Sequence, residues 1–525
     1  MPEIEPIIIT FGGGQNSRRR PADIDINECT TGQNFDLQQQ YLSLRGRKPF
    51  DLVATAPNGS EIRGGGQVEK QDGTISSFIQ AGAVVYSWDH DSTFATIGVV
   101  SSSAKLRAPR EQTFTLDEYA IVTDLAQQEV VKKWDGTTFS DLAHNLGGNF
   151  YAKYCKVYRE RAIFGAVKDG TTDLPHVIVG SERGDAEVLS VSDRPASTLV
   201  LTDPWFLITP DLKPINGLEA AFGTMVVSTK LGRLYQLTGS NAFDFDIVDF
   251  YSGSNVAGAE AIANIGNDIA LGLPARIESL AGTINFGDVE TDDLSLAVAP
   301  DLDAVVEWTL AYNKRTRKLF CFPDSQAACW VLYKPVLDEG KFSPWSKWTT
   351  GHSMNFQPST VMTLLHPSTK KEITYLGDTS GNIYALDGEG SLDGGTTAVT
   401  ISRTTGLIRG FPEGVLFDVE GWILYRRNVA ATITMTFLFA GEGAFDKSIT
   451  VRLPANDNTI VYNGSGSSAA YYGGDYYYGS QFSDRIARQK YGPPGLNAHF
   501  QVKVEIESEG IIDVQEIGLK FRVAK

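Results

Sequence analysis

The chain is predicted to be all-β, a β-propeller of six or seven irregular blades followed by a C-terminal β-sandwich or platform domain. Three observations lead there. Apolar runs are short and separated by Gly, Asp, Asn and Ser turns, the pattern of hairpin arrays. The 525 residues include 52 Gly, 20 Tyr and 27 Phe against 5 Met, which suits many tight turns between aromatic-edged strands. Helical periodicity is nearly absent: 116–126 is the one short candidate and reads equally well as strand.

Composition sets the outer limits. At 42% hydrophobic and 21% charged residues the chain is globular, and its length allows several domains. A formal net charge of −17 disfavours wrapping around a phosphate backbone. It leaves room for a tube that lets DNA slide, which should repel phosphate rather than hold it. Cys29, Cys155, Cys321 and Cys329 are too scattered for a disulfide scaffold or zinc site. Cys321 and Cys329 could face each other across a hairpin and are read as reduced, buried thiols. The start of the chain shows no secretory signal and no run reaches the length of a membrane span, so synthesis in a reducing cytoplasm is expected.

Residues 1–48 read as an extended N-terminal segment packing on the platform or the propeller. It carries Gly12, Gly13 and Gly14, a basic group Arg18, Arg19 and Arg20, and an alternating run at 23–26. Residues 49–390 are assigned to the propeller, with strands recurring at roughly 45–70 residues, as in blades with insertions. Its units centre on 76–100, 119–142, 154–180, 205–238 and 261–286. The last and clearest unit, 305–387, alternates short strands with turns such as 377–382 and has Trp345 and Trp348 near its outer edge. The triple glycines at 12–14 and 64–66 are read as turns, since neither opens a helix that could cradle phosphate.

A Gly/Ser/Asp cluster at 388–395 breaks the pattern, and 391–525 is assigned to the platform domain. Its strands are longer. Gln501, Val502, Lys503, Val504, Glu505 and Ile506 alternate apolar and polar without a break, as a half-buried sandwich strand should. Between the strands, 463–480 is a glycine-rich flexible loop presenting Tyr471, Tyr472, Tyr476, Tyr477 and Tyr478. Exposed tyrosines give large contact area at low entropic cost, so the loop is a candidate interaction site, weighed against rings that fold back on their own sheet.

No catalytic residue, metal ligand set or cofactor site is assigned. Asp89, His90 and Asp91 fit a hairpin tip better than a metal site. Asp244 with Asp246, and Glu290 with Asp292 and Asp293, are explained by alternation and by a turn. The six histidines are dispersed, and no Gly-x-Ser-x-Gly elbow exists to make one of them a triad base. Arg18, Arg19 and Arg20 are a candidate inter-subunit or DNA-proximal group, against the plainer reading of a solvated loop.

The order of features is similar to the nozzle or hub proteins of short-tailed bacteriophages, also called tail tubular or stabilisation proteins. The residues that carry the resemblance are Asn34-Phe35-Asp36 with Arg45-Gly46-Arg47, and Arg159–Ala162 followed by Gly180–Asp185. Further along come 215–218, 345–348, 376–384 and 499–521. The resemblance implies a virion structural protein, not an enzyme. It implies a homo-hexameric ring below the phage adaptor, sealed by a tail needle or plug and with tail fibres as further partners, through which dsDNA passes on ejection. The alternative is a carbohydrate-binding or carbohydrate-hydrolysing propeller whose tyrosines stack on sugars. A cell-surface adhesion module fits less well without a signal sequence.

Overall fold

The computed structural model describes residues 7–38, 43–108, 113–114, 118–191, 200–221, 223–253, 255–266, 268–280, 292–390, 392–411, 417–427, 431–439, 447–453, 471–472, 477–486, 498–508 and 512–523. Strands dominate it. Five four-stranded antiparallel sheets and one nine-stranded sheet make up the propeller, and the nine-stranded sheet consists of two blades side by side. The total is seven blades.

Blade 1 runs from inner to outer strand as Ile62–Glu69, Ile75–Ala81, Val84–Trp88 and Phe94–Val99. Blade 2 has a split inner strand, Leu106–Arg107 and Thr113–Phe114, then Tyr119–Asp124, Lys132–Trp134 and Phe139–Asp141. The segment that could have been helix is therefore strand from Tyr119. Blades 3, 4 and 5 begin at Phe150–Tyr158, Ile215–Ala221 and Ile262–Asn264, and blade 6 at Trp308–Asn313. Blade 7 comprises Thr360–Leu365, Glu372–Gly377 and Asn382–Ala385, and takes its outer strand, Asp51–Thr55, from the other end of the propeller sequence. Successive blades touch near the axis all the way round, inner strand to inner strand except where Tyr119–Asp124 of blade 2 meets Phe150–Tyr158 of blade 3, and Thr360–Leu365 of blade 7 meets Ile62–Glu69 of blade 1. The ring is closed.

Two sequence-based assignments change here. The stretch 305–387 is two blades rather than one, and Trp205–Ile208 is the outer strand of blade 3 rather than the start of the next unit. Gly64, Gly65 and Gly66 do not turn: they lie inside the inner strand of blade 1. A Cβ on Gly64 would sit 2.1 Å from the Leu106 carbonyl oxygen, so only glycine lets the blade 2 inner strand pair alongside in parallel. Gly14 plays the same part at the rim, where a Cβ would fall 2.2 Å from the Trp345 carbonyl oxygen.

Between blades the sheets pack face to face on apolar wedges. Because blades diverge outward, the wider part of each wedge needs large side chains. Trp88, Trp134 and Trp330 stand on third strands of their blades and are fully buried. Cys321 and Cys329 are free thiols that point to opposite faces of blade 6, into different cores, so they do not face each other. Two short helices, Ala299–Leu302 and Lys334–Glu339, interrupt the strands around blade 6.

The closing seam between blades 7 and 1 holds His90. Its ring stacks on Trp88 at 4.4 Å, with Ser77 Oγ 2.7 Å from Nε2 and Tyr375 OH 2.8 Å from Nδ1. Burial, with His366 nearby, pushes its pKa down to about 3 from an ordinary 6.5. Between those values the unfolded chain binds a proton that the folded chain excludes, so stability is full above pH 6.5 and falls as pH drops toward 3. Acid titration of the melting temperature should show this loss, at up to about 1.4 kcal/mol per pH unit in the window. His90→Gln should flatten that part of the slope.

Two further sheets form the platform, and both combine the two ends of the described chain. In one, Cys29–Gln33 pairs with Val399–Thr405, which pairs with Ala498–Ser508 and onward to Ala431–Phe439 and Lys447–Leu453. In the other, Phe35–Gln38 and Ser43–Gly46 lead to Ile512–Val523, Phe417–Arg427 and Tyr477–Ile486, with Ile7–Ile9 also on Ile512–Val523. Val502, Val504 and Ile506 are buried while Gln501, Lys503 and Glu505 are half-buried, as the alternation requires. The segment expected to lie across another domain is thus woven into it as strands. The platform core continues into Phe320, Val331 and Trp348 of blade 6 and Leu376 and Tyr384 of blade 7.

A polar joint locks this contact. Arg47 forms a two-pronged pair with Asp393, and both side chains are essentially fully buried. Its remaining N–H groups donate to Asn34 Oδ1 at 2.9 Å and to the Thr349 carbonyl at 3.0 Å. Beside it, Lys318 Nζ lies 2.9 Å from Asp36 Oδ2 and 3.1 Å from Asp387 Oδ1. Asn34, Asp36 and Arg47, singled out in the sequence, are the residues that fix the platform to the propeller.

Candidate functional site on the propeller axis

The inner strands and the loops leading into them surround the axis, and charges there are paired across blades. Arg107 stands on the inner strand of blade 2. Glu260 leads into blade 5, and its backbone bridges to Thr309 of blade 6. Blades 2 and 5 are not neighbours, so the ion pair between these side chains spans the axis. Arg107 Nη2 donates to Glu260 Oε2 at 2.8 Å and Nε to Oε1, while Nη1 is held by the carbonyls of Arg63 and Leu106. Burial works against the Arg107 charge, yet Glu260 outweighs it and holds the guanidinium above its ordinary pKa. Burial, then the Glu260 charge, pushes the Tyr154 phenol of blade 3 up as well. A second pair, Lys156 with Glu219 at 2.9 Å, joins the inner strands of blades 3 and 4.

Beside the transaxial pair opens a cavity of about 670 Å³, lined by loops of blades 2, 5, 6 and 7. Glu260, Glu307, Asp324 and Lys105 face it with Phe356 and Pro358. Asp324 accepts the backbone N–H groups of Val306 and Glu307, which fixes the rim of the cavity rather than leaving a free carboxylate pair. Among the described residues no group of three His, Cys, Asp or Glu side chains could hold a metal, and no helix is long and apolar enough to cross a membrane.

Glu260→Gln is expected to cost about 1–2 kcal/mol, because Arg107 would keep its charge in a mostly buried place with half its partner gone. The figure stays modest because the side chains are 17% and 28% exposed. A lower denaturation midpoint with unchanged m-value is the measurement that checks it.

The residues singled out in the sequence lie elsewhere. Tyr471 and Tyr472 pair with Tyr478 and Tyr477 as a short hairpin at the edge of a platform sheet, so that part of the 463–480 loop is strand rather than flexible loop. Tyr476 lies outside the described residues, as do the rings of the other four. Arg18, Arg19 and Arg20 are exposed, on a segment tied by Ser17 and Arg18 N–H groups to the Ala297 carbonyl. Asp244 accepts the N–H groups of Ser240 and Asn241, a turn cap, and Asp293 does the same for Ser295. Glu290 lies outside the described residues. Nothing in the sequence brings Arg107 and Glu260 together, since 153 residues separate them.

Fold and axis together define a seven-bladed β-propeller with a platform fused to its rim. In sequence, no protein-family model and no curated protein matches the chain. Among solved structures it is similar to virginiamycin B lyase from Staphylococcus aureus (9% identity, TM-score 0.39, over 64% of this chain and 97% of that one). It is also similar to YCF48 from Cyanidioschyzon merolae (9%, 0.37, 64% and 98%). Sqt1 from Saccharomyces cerevisiae is a third (12%, 0.37, 64% and 99%). At such identities the likeness concerns the fold alone.

Proposed function

We propose that this chain is a virion structural protein, the nozzle or hub subunit of a short-tailed bacteriophage tail. In this reading copies form a hexameric ring below the adaptor, with a needle or plug beneath and tail fibres attached, and dsDNA leaves through the ring. The observation that carries the reading is the buried joint of Arg47, Asp393, Lys318, Asp36 and Asp387, which makes propeller and platform one stiff unit. A subunit that must withstand genome ejection needs that stiffness. The order of sequence features resembling the nozzle family supports it too. Because Arg107 and Glu260 bar each propeller's own axis, the conduit in this reading runs between copies, and the net charge of −17 keeps phosphate from sticking. Assembly takes place in the host cytoplasm, and the chain itself performs no reaction.

The axial cavity favours a second reading, a carbohydrate-binding or carbohydrate-hydrolysing propeller, since about 670 Å³ falls within the range of small-ligand sites. Light scattering and negative-stain imaging of the purified chain, alone and with portal and adaptor, separate the two. A ring that caps the adaptor supports the nozzle. A lone subunit that binds glycan and never enters a ring overturns it.

A further inference from the structure

Exposed apolar side chains are not scattered evenly over this protein. Among the described residues, seven of the twelve large apolar side chains left exposed lie between 200 and 248, in blades 3 and 4; Val200, Leu201 and Phe243 share the end where the chain enters the outer strands, and Leu212 and Leu231 lie at the opposite strand ends. Leu201 is 61% exposed and Phe243 50%, and the two loops are joined where Ala242 N–H donates to the Leu201 carbonyl. Buried Arg161 clamps the first loop through the carbonyls of Ser181, Leu201, Thr202 and Asp203, so the patch is rigidly presented. Next to it runs Asp246–Ser252, the outer strand of blade 4, whose far edge pairs with no strand among the described residues. Val248 is exposed on it, flanked by exposed Asp244, Asp246 and Asp249, the last of which also pairs with Arg233 at 2.7 Å. An apolar strip fringed with acid is a binding edge in search of a basic, partly apolar partner.

One such surface exists on the same chain. Arg18, Arg19 and Arg20 stand exposed beside Leu296, itself 44% exposed, and no ion pair reaches them among the described residues. Gly14 and Gln15 anchor this corner to Ser343 and Trp345 on blade 6. Blade 5 lies between it and blade 4, so the two surfaces of one copy cannot satisfy each other. Two different complementary faces on one subunit make a head-to-tail contact, which closes into a ring when the rotation allows.

We propose that the acid-fringed rim of blade 4 docks on the Arg18–Arg20 corner of a second copy of this chain. The proposal rests on the ring reading above and assigns its contact. Sedimentation velocity on the full chain, with portal and adaptor added in a parallel series, tests it with three variants. These are Arg18→Glu/Arg19→Glu/Arg20→Glu, Asp246→Arg/Asp249→Arg, and the two sets combined. Each reversal alone should weaken assembly at least about tenfold, and the combination should restore it. Phe243→Ser should weaken assembly without any charge change. The positions are exposed, so each variant should melt as the wild type does; if Asp246→Arg/Asp249→Arg does not, Asp246→Arg alone replaces it. A ring indifferent to both reversals, or one that the combination fails to restore, overturns this contact and leaves the nozzle reading standing. A chain that stays monomeric in both series overturns both.

Discussion

Replacing Trp345 and Trp348 together with alanine should abolish the cooperative unfolding transition near room temperature. The two rings lie on one four-residue strand, Trp345–Trp348, and both are fully buried. They point to opposite faces. Trp345 fills the wedge between blades 5 and 6 and donates its indole N–H to the Leu294 carbonyl at 2.7 Å. Trp348 fills the platform core and reaches the Phe35 carbonyl at 3.3 Å. Each truncation removes a large apolar surface, at a cost of about 3–5 kcal/mol; Trp345→Ala also strips the Leu294 carbonyl of its donor, whereas the Phe35 carbonyl keeps Ser346 Oγ and Tyr333 OH. The cores are separate, so the losses should nearly add, to about 6–10 kcal/mol. That total is comparable with the whole stability of an ordinary domain, about 5–15 kcal/mol. Equilibrium denaturation of the two single variants gives the increments. A double variant unfolding within about 1 kcal/mol of the wild type would mean that this strand does not hold blade and platform together.

What the sequence made legible follows from how local each feature is. Strands were readable because alternation and turn residues act over a few positions, as Val502, Val504 and Ile506 show. Blade membership was not. A sheet edge is closed by whichever strand arrives in space, so Asp51–Thr55 completes blade 7 and Trp205–Ile208 closes blade 3. The glycines at 64–66 misled for the same reason: local rules make glycine a turn, while the need here is for a neighbouring backbone at contact distance. The helix Lys334–Glu339 does carry a local signature, with Pro335 in its first turn and Gly340 left-handed just past its end. Asn34, Asp36 and Arg47 stood out as motifs, but their partners Thr349, Asp387, Asp393 and Lys318 lie hundreds of residues away. The axial site shares that obstacle, since single charges carry no mark of the partner that will find them.

Lys318→Met should destabilise the protein by about 3–5 kcal/mol, and removal of its two carboxylate partners should identify the cause. In the wild type the ammonium and its two carboxylates, Asp36 and Asp387, are each about a tenth exposed. Burial alone would lower the Lys318 pKa, but the two carboxylates outweigh it and raise it above 10.5. A base whose folded pKa is raised contributes its stability below the unfolded value and loses it only as pH climbs through the folded one, so the joint weakens in strong alkali. Removing the cation leaves two buried carboxylates side by side. Adding Asp36→Asn and Asp387→Asn should recover a large part of the loss at pH 7, because the uncompensated charge goes with them. Denaturation midpoints of the three proteins at pH 7 decide the matter. A Lys318→Met penalty that the paired amides do not relieve would show that Lys318 works by filling space rather than by its charge.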